Sequence, residues 1–295
     1  MAKDRRSLNG KVVAITGGAR GIGKATAEAL VRKGSRIAIG DLDTELAEKT
    51  ATELGGGTIA LALDVTDRDS FAAFLDEAER QLGPLDVLVN NAGIMPVTPL
   101  VEESDASIRR QLDINVYGVI VGMQLAIERM QPRNSGHIVN LASQAGKGGI
   151  AGIATYSAAK HAVVGLSEAA RMELRETELE IACVMPTVVN TELTSGVSHK
   201  MVKPVEVEDV AGEIVDALEV PRFDVFVPRA NGVIFKVVQI LPRRAREAIG
   251  RMFGIHKLMT EPDHGARRGY EERAAQGRAE GAEEEPAPEA QRDAA

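Results

Sequence analysis

Residues 11–34 read KVVAITGGARGIGKATAEALVRKG, and this stretch combines three local signals in a row. The mostly apolar run Lys11 to Thr16 predicts a short buried strand. The glycines after it predict a tight turn. KATAEALVRKG then has the residue types of a helix, and Gly34 suits the position just past a helix end, where glycine is favoured. Strand, glycine turn and helix in direct succession are typical of one unit of an α/β fold.

The same succession of strand and helix continues along most of the chain. Such alternation predicts a parallel sheet with helices on both faces. We therefore expect an α/β fold: a Rossmann-type, doubly wound, seven-stranded parallel sheet, followed by a C-terminal helical extension. Beyond the first unit, strands are predicted at residues 35–40, 58–63, 85–90, 137–141, 180–185 and 223–227, and helices at residues 44–54, 67–82, 104–130, 156–176 and 207–218.

Polar and glycine residues cluster where the predicted strands end. In doubly wound sheets, ligands bind beyond the carboxyl ends of the strands. The turn TGGARGIG, Thr16 to Gly23, lies between the first strand and the first helix. Its glycines would let the backbone approach a pyrophosphate at the helix N-terminus, which predicts a dinucleotide site. The other strand ends expected to face this site carry Asp41, Asp64, Asn90 to Gly93, Ser143, and Pro186 to Thr191.

Asp41 ends the second predicted strand, where an acidic residue can bind the hydroxyls of an adenosine ribose. Its carboxylate would repel a 2′-phosphate, so NAD is favoured over NADP. Arg20 argues in the opposite direction, because a guanidinium in the glycine turn could pair with that phosphate. It could equally pair with Asp41 or face solvent. The alternative role of Asp41 is that of a helix N-cap.

Tyr156 and Lys160 are four positions apart in a predicted helix, so their side chains share one face. A phenol has an ordinary pKa of ~10, and an adjacent ammonium lowers it by favouring the phenolate. Bringing that pKa to ~7 requires about 4 kcal/mol. Ser143, after the fifth strand, offers a hydroxyl to a substrate oxygen. These three groups suit proton transfer at an alcohol or carbonyl, although a helical Tyr–Lys pair is also compatible with a solvated surface.

Composition excludes several classes of protein. Cys183 is the only cysteine, which rules out an intrachain disulfide and fits a reducing, cytoplasmic compartment. The five histidines lack metal-ligand spacing, so no metal is expected. No apolar run is long enough to span a bilayer, and the N-terminus lacks the apolar stretch of a signal peptide. The net charge is −8, which gives no sign of a nucleic-acid partner.

Together these motifs resemble the short-chain dehydrogenase/reductase family over roughly Gly10 to Val227. Six motifs in order on one alternating pattern make the resemblance specific. It implies a hydride-transferring oxidoreductase with a nicotinamide cofactor, assembled as a homotetramer or dimer. The sequence motifs that carry the resemblance are TGGARGIG at 16–23, DV at 64–65, NNAG at 90–93, the asparagine of INVYG at 115, Ser143, and YSAAK at 156–160.

The resemblance also implies roles for individual residues. Tyr156 would exchange a proton with the substrate oxygen, Ser143 would hydrogen-bond that oxygen, and Lys160 would lower the pKa of the tyrosine and bind the nicotinamide ribose. Asn115 would interrupt its helix and hold a water that relays protons to Lys160. The implied cofactor-binding residues are Gly17, Arg20, Gly21, Ile22, Gly23, Asp41, Leu42, Asp64, Val65, Asn91, Ala92, Gly93, Tyr156, Lys160, Pro186, Val189 and Thr191.

One position departs from the family pattern. Pro186 is followed by Thr187, where the family usually has glycine. Three interpretations stay open: the threonine narrows the substrate side, hydrogen-bonds a substrate, or simply replaces a tolerated glycine. The variable substrate loop of the family is short here, roughly Glu192 to Lys203.

Three regions are expected: a Rossmann-fold catalytic domain at 1–228, a basic amphipathic extension at 229–269 and a disordered acidic tail at 270–295. Residues 229–258 contain seven Arg or Lys and one acidic residue. This segment either packs on its own or a partner subunit and walls an apolar substrate pocket, or lies on an anionic membrane surface, or docks another protein. Its apolar helical face comprises Ala245, Ala248, Ile249, Met252 and Phe253.

The leading hypothesis is therefore an oxidoreductase that uses NAD(H) and acts on an apolar secondary alcohol or ketone of lipid, sterol or retinoid type. One alternative is an NADPH-dependent 3-ketoacyl reductase of fatty-acid synthesis type, against which Asp41 and the extension count. Another is a dinucleotide-binding regulator without catalysis, against which the set Ser143, Tyr156 and Lys160 counts. The expected partner is a small molecule rather than a nucleic acid.

Overall fold

The structure, a computed structural model, describes residues 5–197, 203–252, 259–260 and 263–276. Within these residues seven parallel strands form one sheet of order β3-β2-β1-β4-β5-β6-β7, which confirms the predicted doubly wound sheet. The strands are β1 (Val12–Thr16), β2 (Arg36–Asp41), β3 (Ile59–Ala62), β4 (Val87–Asn90), β5 (Gly136–Leu141), β6 (Leu179–Pro186) and β7 (Asp224–Val227).

Ten α-helices accompany the sheet in the described part of the chain. The last three of them form the predicted C-terminal helical extension. The helices are α1 (Gly21–Val31), α2 (Thr44–Leu54), α3 (Arg68–Leu82), α4 (Asp105–Leu112), α5 (Gly118–Met130), α6 (Ala154–Glu173), α7 (Val207–Glu219), α8 (Ala230–Ile240), α9 (Arg243–Met252) and α10 (His264–Gln276).

Two apolar layers enclose the sheet because successive side chains of a strand point to opposite faces. In β1, Val13 and Ile15 belong to the core formed with α1, α2 and α7. Ala14 belongs to the core on the other face, formed with α3, α5 and α6. Strands buried on both faces read as nearly continuous apolar runs, and this is why short runs such as VVAIT identified them in the sequence.

The strand order reverses between β1 and β4. β1 pairs with β2 on one side and with β4 on the other, so the connections after β1 and β4 leave the sheet in opposite directions. Ligands of doubly wound sheets bind in the crevice that opens at such a point. The hydroxyl of Thr16, which ends β1, accepts hydrogen bonds from the backbone N–H groups of Asn91 and Ala92, both at 3.0 Å. These bonds connect the two sides of the crevice, which are the end of β1 and the segment after β4.

The helix predicted over 104–130 is interrupted. A π-helical turn, Asp113–Tyr117, separates α4 from α5. Single π-turns inside helices are rare and frequently occur at functional sites. The interruption expected at Asn115 is therefore present, and it brings this fully buried side chain to the backbone of Ile94.

The C-terminal extension begins by packing against the end of the sheet. Phe235 of α8 stacks on Phe226 of β7 with ring centroids 5.7 Å apart, and Asn231 donates a hydrogen bond to the Gln144 side chain at 3.0 Å. The apolar face predicted for α9 does not pack in the same way, because Ala248 is exposed and Met252 is 70% exposed. The side chain of Ile249 and the whole of Phe253 lie outside the described residues.

The expected start of a disordered tail at residue 270 needs correction, because it falls inside α10. This helix continues to Gln276 since it packs on the body of the protein: Arg267 is fully buried, and the Tyr270 hydroxyl is bonded to the backbone of Met95. Residues 277–295 lie outside the described part of the chain. Within the described part, no helix combines the length and the apolar character that crossing a membrane requires.

Replacing Thr16 by Val should lower the free energy of unfolding by about 1–3 kcal/mol, because the partly buried N–H groups of Asn91 and Ala92 lose their acceptor. Urea denaturation measures the change. Thr16→Ser keeps the hydroxyl and should retain most of the stability. A Thr16→Val protein as stable as the wild type would contradict the importance of this link.

Candidate active site

The glycine turn after β1 is shaped for close backbone approach. Gly17 has φ +63°, and a Cβ atom there would lie 2.9 Å from the Cα of Ala92. A Cβ atom at Gly23 would lie 2.3 Å from the Gly17 carbonyl oxygen. Asn91 stabilises the turn, since its side-chain amide donates to the carbonyls of Thr16 and Gly17, both at 2.9 Å. The N-terminus of α1 has no side-chain cap, which leaves its N–H groups available to an anion.

Asp41 does not cap a helix. The N-cap of α2 is Asp43, whose carboxylate accepts from the N–H of Leu46 at 3.2 Å. Asp41 instead accepts from the N–H groups of Ala19 and Asp43, at 3.1 and 3.2 Å, and its carboxylate lies at the crevice edge where β2 ends. The alternative of Asp41 as an N-cap is therefore wrong.

Arg20 is held by acidic side chains next to this edge. Its guanidinium forms ion pairs with Asp43 and, at 3.4 Å, with Glu192, and neither partner is Asp41. A second carboxylate of the crevice, Asp64, accepts from both the N–H and the hydroxyl of Thr66, at 2.8 and 2.7 Å. The acidic groups at this edge are thus already oriented by the protein.

Asn115 and Gly93 form the inner wall of the site. The Asn115 amide group both accepts from the N–H of Ile94 at 3.0 Å and donates to the Ile94 carbonyl at 2.8 Å. A Cβ atom at Gly93 would lie 2.8 Å from the Asn115 side-chain oxygen and 3.7 Å from the Lys160 Nζ. Only glycine therefore lets the chain pass this close to both groups.

Lys160, Tyr156 and Ser143 meet beyond the ends of β4 and β5. Lys160 is 4% exposed, donates to the Leu141 carbonyl at 2.7 Å, and lies 5.5 Å from the centre of the Tyr156 ring. The Ser143 hydroxyl accepts from the N–H of Ala145 at 3.1 Å, and it lies close enough to the phenol of Tyr156 to lower the pKa of that group. The buried helical pair on α6 is thus not a solvated surface.

Burial controls the protonation of these groups. It raises the pKa of Tyr156, and the nearby Ser143 hydroxyl opposes that rise. Burial also lowers the pKa of Lys160 to about 8, since an ammonium is costly away from water. A phenolate at Tyr156 consequently requires a positive charge beside it, and Lys160 on the same helix face is placed to supply one.

The segment after β6 forms the opposite wall of the site. The N–H of Thr187 donates to the Val227 carbonyl at 2.9 Å, so this residue continues the sheet pairing while it lines the cavity. Val189 forms an isolated bridge with Val205, and Thr191 caps a short 3-10 turn. Of the expected substrate loop, residues 192–197 and Lys203 are described, and residues 198–202 lie outside the described part.

A cavity of about 1810 Å³ connects these walls. All the residues predicted to bind cofactor or substrate line it except Gly23 and Asn115, which lie just behind its surface. Beside Tyr156 the cavity is apolar, because a buried cluster there includes Met95, Val97, Ile153 and Val188.

In one sequence-based interpretation the extension at 229–269 walls the pocket, but that interpretation names no lining residue there, and residues from 270 onward are expected to form a disordered tail. Met259, Tyr270, Arg273 and Ala274 all line the cavity. They lie in a polar stretch without strand or helix periodicity strong enough to predict a contact. A signal was present nonetheless, since Tyr270 is the sole aromatic residue after Phe253 in the sequence.

Comparison with known proteins agrees with this geometry. The model of the short chain dehydrogenase family matches residues 11–202. Sorbitol dehydrogenase of Cereibacter sphaeroides is 42% identical over 194 residues, which are 65% of this chain and 76% of that protein. The 17-beta-hydroxysteroid dehydrogenase 13 of Homo sapiens is 29% identical over 257 residues, 85% of this chain and 86% of that protein.

A solved structure also matches, that of a short chain dehydrogenase/reductase from Burkholderia phymatum in complex with NAD. The TM-score is 0.74 at 26% identity, and the match covers 79% of this chain and 94% of the other. With the family model matching well over half of the chain, the protein belongs to the short-chain dehydrogenase/reductase family of oxidoreductases.

Proposed function

We propose that this protein transfers a hydride between NAD(H) and an apolar secondary alcohol or ketone, with Tyr156 as the acid/base. The observation that carries the proposal is that Ser143, Tyr156 and Lys160 line the same cavity as the glycine turn and Asp41. A proton-transfer group and a dinucleotide cradle in one cavity are what hydride transfer at a C–O bond requires.

The residues at the crevice fit a dinucleotide. Gly17 and Gly23 leave space that any side chain would fill, and the uncapped start of α1 offers N–H groups to a pyrophosphate. Asp41 suits ribose hydroxyls and repels a 2′-phosphate, while Arg20 is paired with Asp43 and Glu192. These contacts favour NAD over NADP. The related protein from Burkholderia phymatum, whose structure was solved in complex with NAD, supports the same preference.

The catalytic roles follow from the contacts of each group. When bound, the nicotinamide supplies or accepts the hydride. In reduction, Tyr156 gives its proton to the carbonyl oxygen as the new C–H bond forms; in oxidation, its phenolate takes the proton of the alcohol. Ser143 hydrogen-bonds the same oxygen, and the ammonium of Lys160 stabilises the phenolate. Asn115 holds the chain at Ile94, and we assign it the water that relays protons to Lys160.

The substrate side favours an apolar molecule. Apart from Tyr156, the cluster that lines it is composed of residues such as Met95, Ile153 and Val188. The hydroxysteroid dehydrogenase among the relatives is named for a substrate of this kind, whereas the sorbitol dehydrogenase is named for a polyol. A ketoacyl reductase that uses NADPH remains the alternative, and Asp41 counts against it. A regulator without catalysis is disfavoured by the complete set of proton-transfer groups.

Helices α8 and α9 present two surfaces, one toward the cavity and one toward solvent. Phe235 and Val238 of α8 line the cavity, which supports the interpretation that the extension walls the substrate pocket. On its other side, α8 exposes Val233, Ile234, Val237 and Ile240. The exposed arginines of α9 are Arg243, Arg244, Arg246 and Arg251, of which Arg243, Arg246 and Arg251 also line the cavity. We propose that this second surface rests on an anionic membrane at the cavity mouth, in a cytoplasmic protein that forms a dimer or tetramer as its family does.

Replacing Tyr156 by Phe should lower kcat/KM by about 10²–10⁴-fold, because the group that exchanges the proton is lost. The affinity for NADH should stay within about threefold, since a phenol oxygen makes only a small part of that binding. Steady-state rates with matched short and long alkyl ketones, and NADH titration by fluorescence, measure both. Tyr117→Phe, at a tyrosine that is 45% exposed, is the control.

Retained turnover in Tyr156→Phe would show that another group exchanges the proton with the substrate.

The comparison of short and long ketones also tests the apolar pocket. Each added CH₂ should improve kcat/KM by about fourfold until the pocket is filled, from about 0.8 kcal/mol per buried CH₂. Equal efficiency for short and long ketones would refute an apolar substrate.

Replacing Asp41 by Asn should lower the preference for NAD over NADP by about tenfold or more. The change removes the negative charge that binds the ribose hydroxyls and repels the 2′-phosphate, while an amide oxygen can still accept from Ala19. The ratio of kcat/KM for the two cofactors measures the effect. Asp67→Asn, at the N-cap of α3, is the matched control. An unchanged ratio would contradict the role of Asp41 in cofactor choice.

The protein should sediment with vesicles that contain phosphatidylserine and remain free with vesicles of pure phosphatidylcholine, because the exposed arginines attract anionic lipid. Val237→Glu should weaken this binding by about tenfold, since Val237 would enter the bilayer boundary. Val101→Glu, at a residue 92% exposed elsewhere, is the control. Equal binding to both vesicles, or a variant that instead loses subunit association in ultracentrifugation, would refute the membrane contact.

A further inference from the structure

The end of the described chain forms part of the cavity lining. We call residues 259–260 and 263–276 the C-terminal strap. The N–H of Asp263 donates to the Gly196 carbonyl at 2.8 Å, and the Ser195 hydroxyl donates to the Ala266 carbonyl at 2.9 Å. At the other end of α10, Arg273 pairs with Glu192 at 2.8 Å. The strap is therefore attached along its length to the segment after β6.

A buried guanidinium fixes the strap in place. Arg267 is fully buried and donates to three backbone carbonyls, those of Met95 and Ser195 at 2.9 Å and that of Leu193 at 3.2 Å. It also pairs with Glu271 at 3.0 Å. Met95 follows β4 and the other two residues follow β6, so one side chain joins both walls of the site to the strap.

Tyr270 lies one helical turn after Arg267 and reaches the cavity. The Arg267 guanidinium is 5.3 Å from the centre of its ring. Its hydroxyl oxygen accepts a hydrogen bond from the N–H of Met95 at 2.7 Å. Among the residues that the structure describes, nothing accepts the proton of this hydroxyl. The phenol is thus held at a fixed place, with one hydrogen-bond donor unused.

The residue with the unused donor lines the cavity that also contains Tyr156. Tyr270 and Tyr156 line the same cavity, and Tyr270 lies near enough to raise the pKa of Tyr156. Burial raises the pKa of Tyr270 itself to about 12, so it stays neutral and keeps its proton at physiological pH. Around the two phenols the wall is apolar, and Met95 belongs to it.

Two charged groups that line the cavity are already paired. Arg273 is bound to Glu192, and Lys147, which also lines the cavity, is 3.2 Å from Glu168. The neutral hydroxyl of Tyr270 is thus a polar group that lines the cavity beside the apolar wall with its proton unused. Such a donor matches an uncharged oxygen better than a carboxylate or a phosphate.

We propose that Tyr270 is a specificity-determining residue that donates a hydrogen bond to a second, uncharged oxygen of the substrate. The substrate class is then a secondary alcohol or ketone that carries a further hydroxyl or carbonyl group near the reacting carbon, such as a diol or a hydroxyketone on an apolar skeleton. The inference rests on the proposed oxidoreductase function and narrows its substrate.

The test compares two ketones of the same carbon skeleton, one of which carries a hydroxyl group next to the carbonyl. The wild type should reduce the hydroxyketone with a kcat/KM about tenfold higher than that of the plain ketone, as one neutral hydrogen bond allows. In Tyr270→Phe this ratio should fall to about one, because the loss falls mainly on the hydroxyketone, while the affinity for NADH stays unchanged. Tyr117→Phe should keep the wild-type ratio.

Three results would overturn the proposal. Tyr270→Phe could leave the ratio of the two kcat/KM values unchanged, with both rates retained or both lowered equally, which would limit its role to structure. The wild type could also reduce both ketones with the same efficiency, in which case the oxidoreductase function stands and only the role of Tyr270 is lost. A wild type that reduces neither compound, with either cofactor, would instead refute the proposed function together with this inference.

Discussion

Helices cover both faces of the sheet, so a polar group of the sheet can reach a ligand only where a strand ends. The rest of the molecule follows from this constraint. Thr16, Asp41, Asn91 and Ser143 lie far apart in the chain, and the common direction of parallel strands brings them to one edge. The reversal of strand order at β1 and β4 opens the crevice there. At the edge of the crevice, the glycine turn leaves space for a ligand to approach the backbone.

Two buried cations lie beside the cavity, and backbone carbonyls stabilise both. Lys160 donates to Leu141, and Arg267 donates to Met95, Leu193 and Ser195. Carbonyl dipoles offset part of the free-energy cost of burying each cation and leave its positive charge in place. A buried carboxylate would instead neutralise that positive charge. Arg267 has one acidic partner among the described residues, the partly exposed Glu271. In the proposed reaction, this positive charge would lie near the oxygen on which negative charge develops during proton transfer.

Much of the architecture could be predicted because its signals are local. The apolar runs identified the strands, and TGGARGIG identified the turn, whose glycines the structure explains by contacts with Ala92 and Gly17. The helix cap was not predictable in the same way. Asp41 and Asp43 are two positions apart in a stretch that reads DLD, and only the fold decides which of them caps α2.

The strap could not be predicted because its contacts are not local. Arg267 bonds to the carbonyl of Met95, 172 positions earlier, and nothing in the surrounding polar sequence indicates that contact. The same stretch has the composition of a solvated tail. For α9 the apolar periodicity correctly predicted a helix. The periodicity did not reveal whether other residues cover the apolar face, and Met252 remains 70% exposed.

The order in which the parts are synthesised gives the strap one more consequence. The ribosome makes β1 to β7, and with them the whole sheet, before it makes Arg267 and Tyr270. A nascent chain can therefore complete its sheet and its dinucleotide crevice while the substrate side still lacks a wall. The apolar cluster around Met95 and Ile153 stays open to water, and to chaperones, until translation has passed the strap.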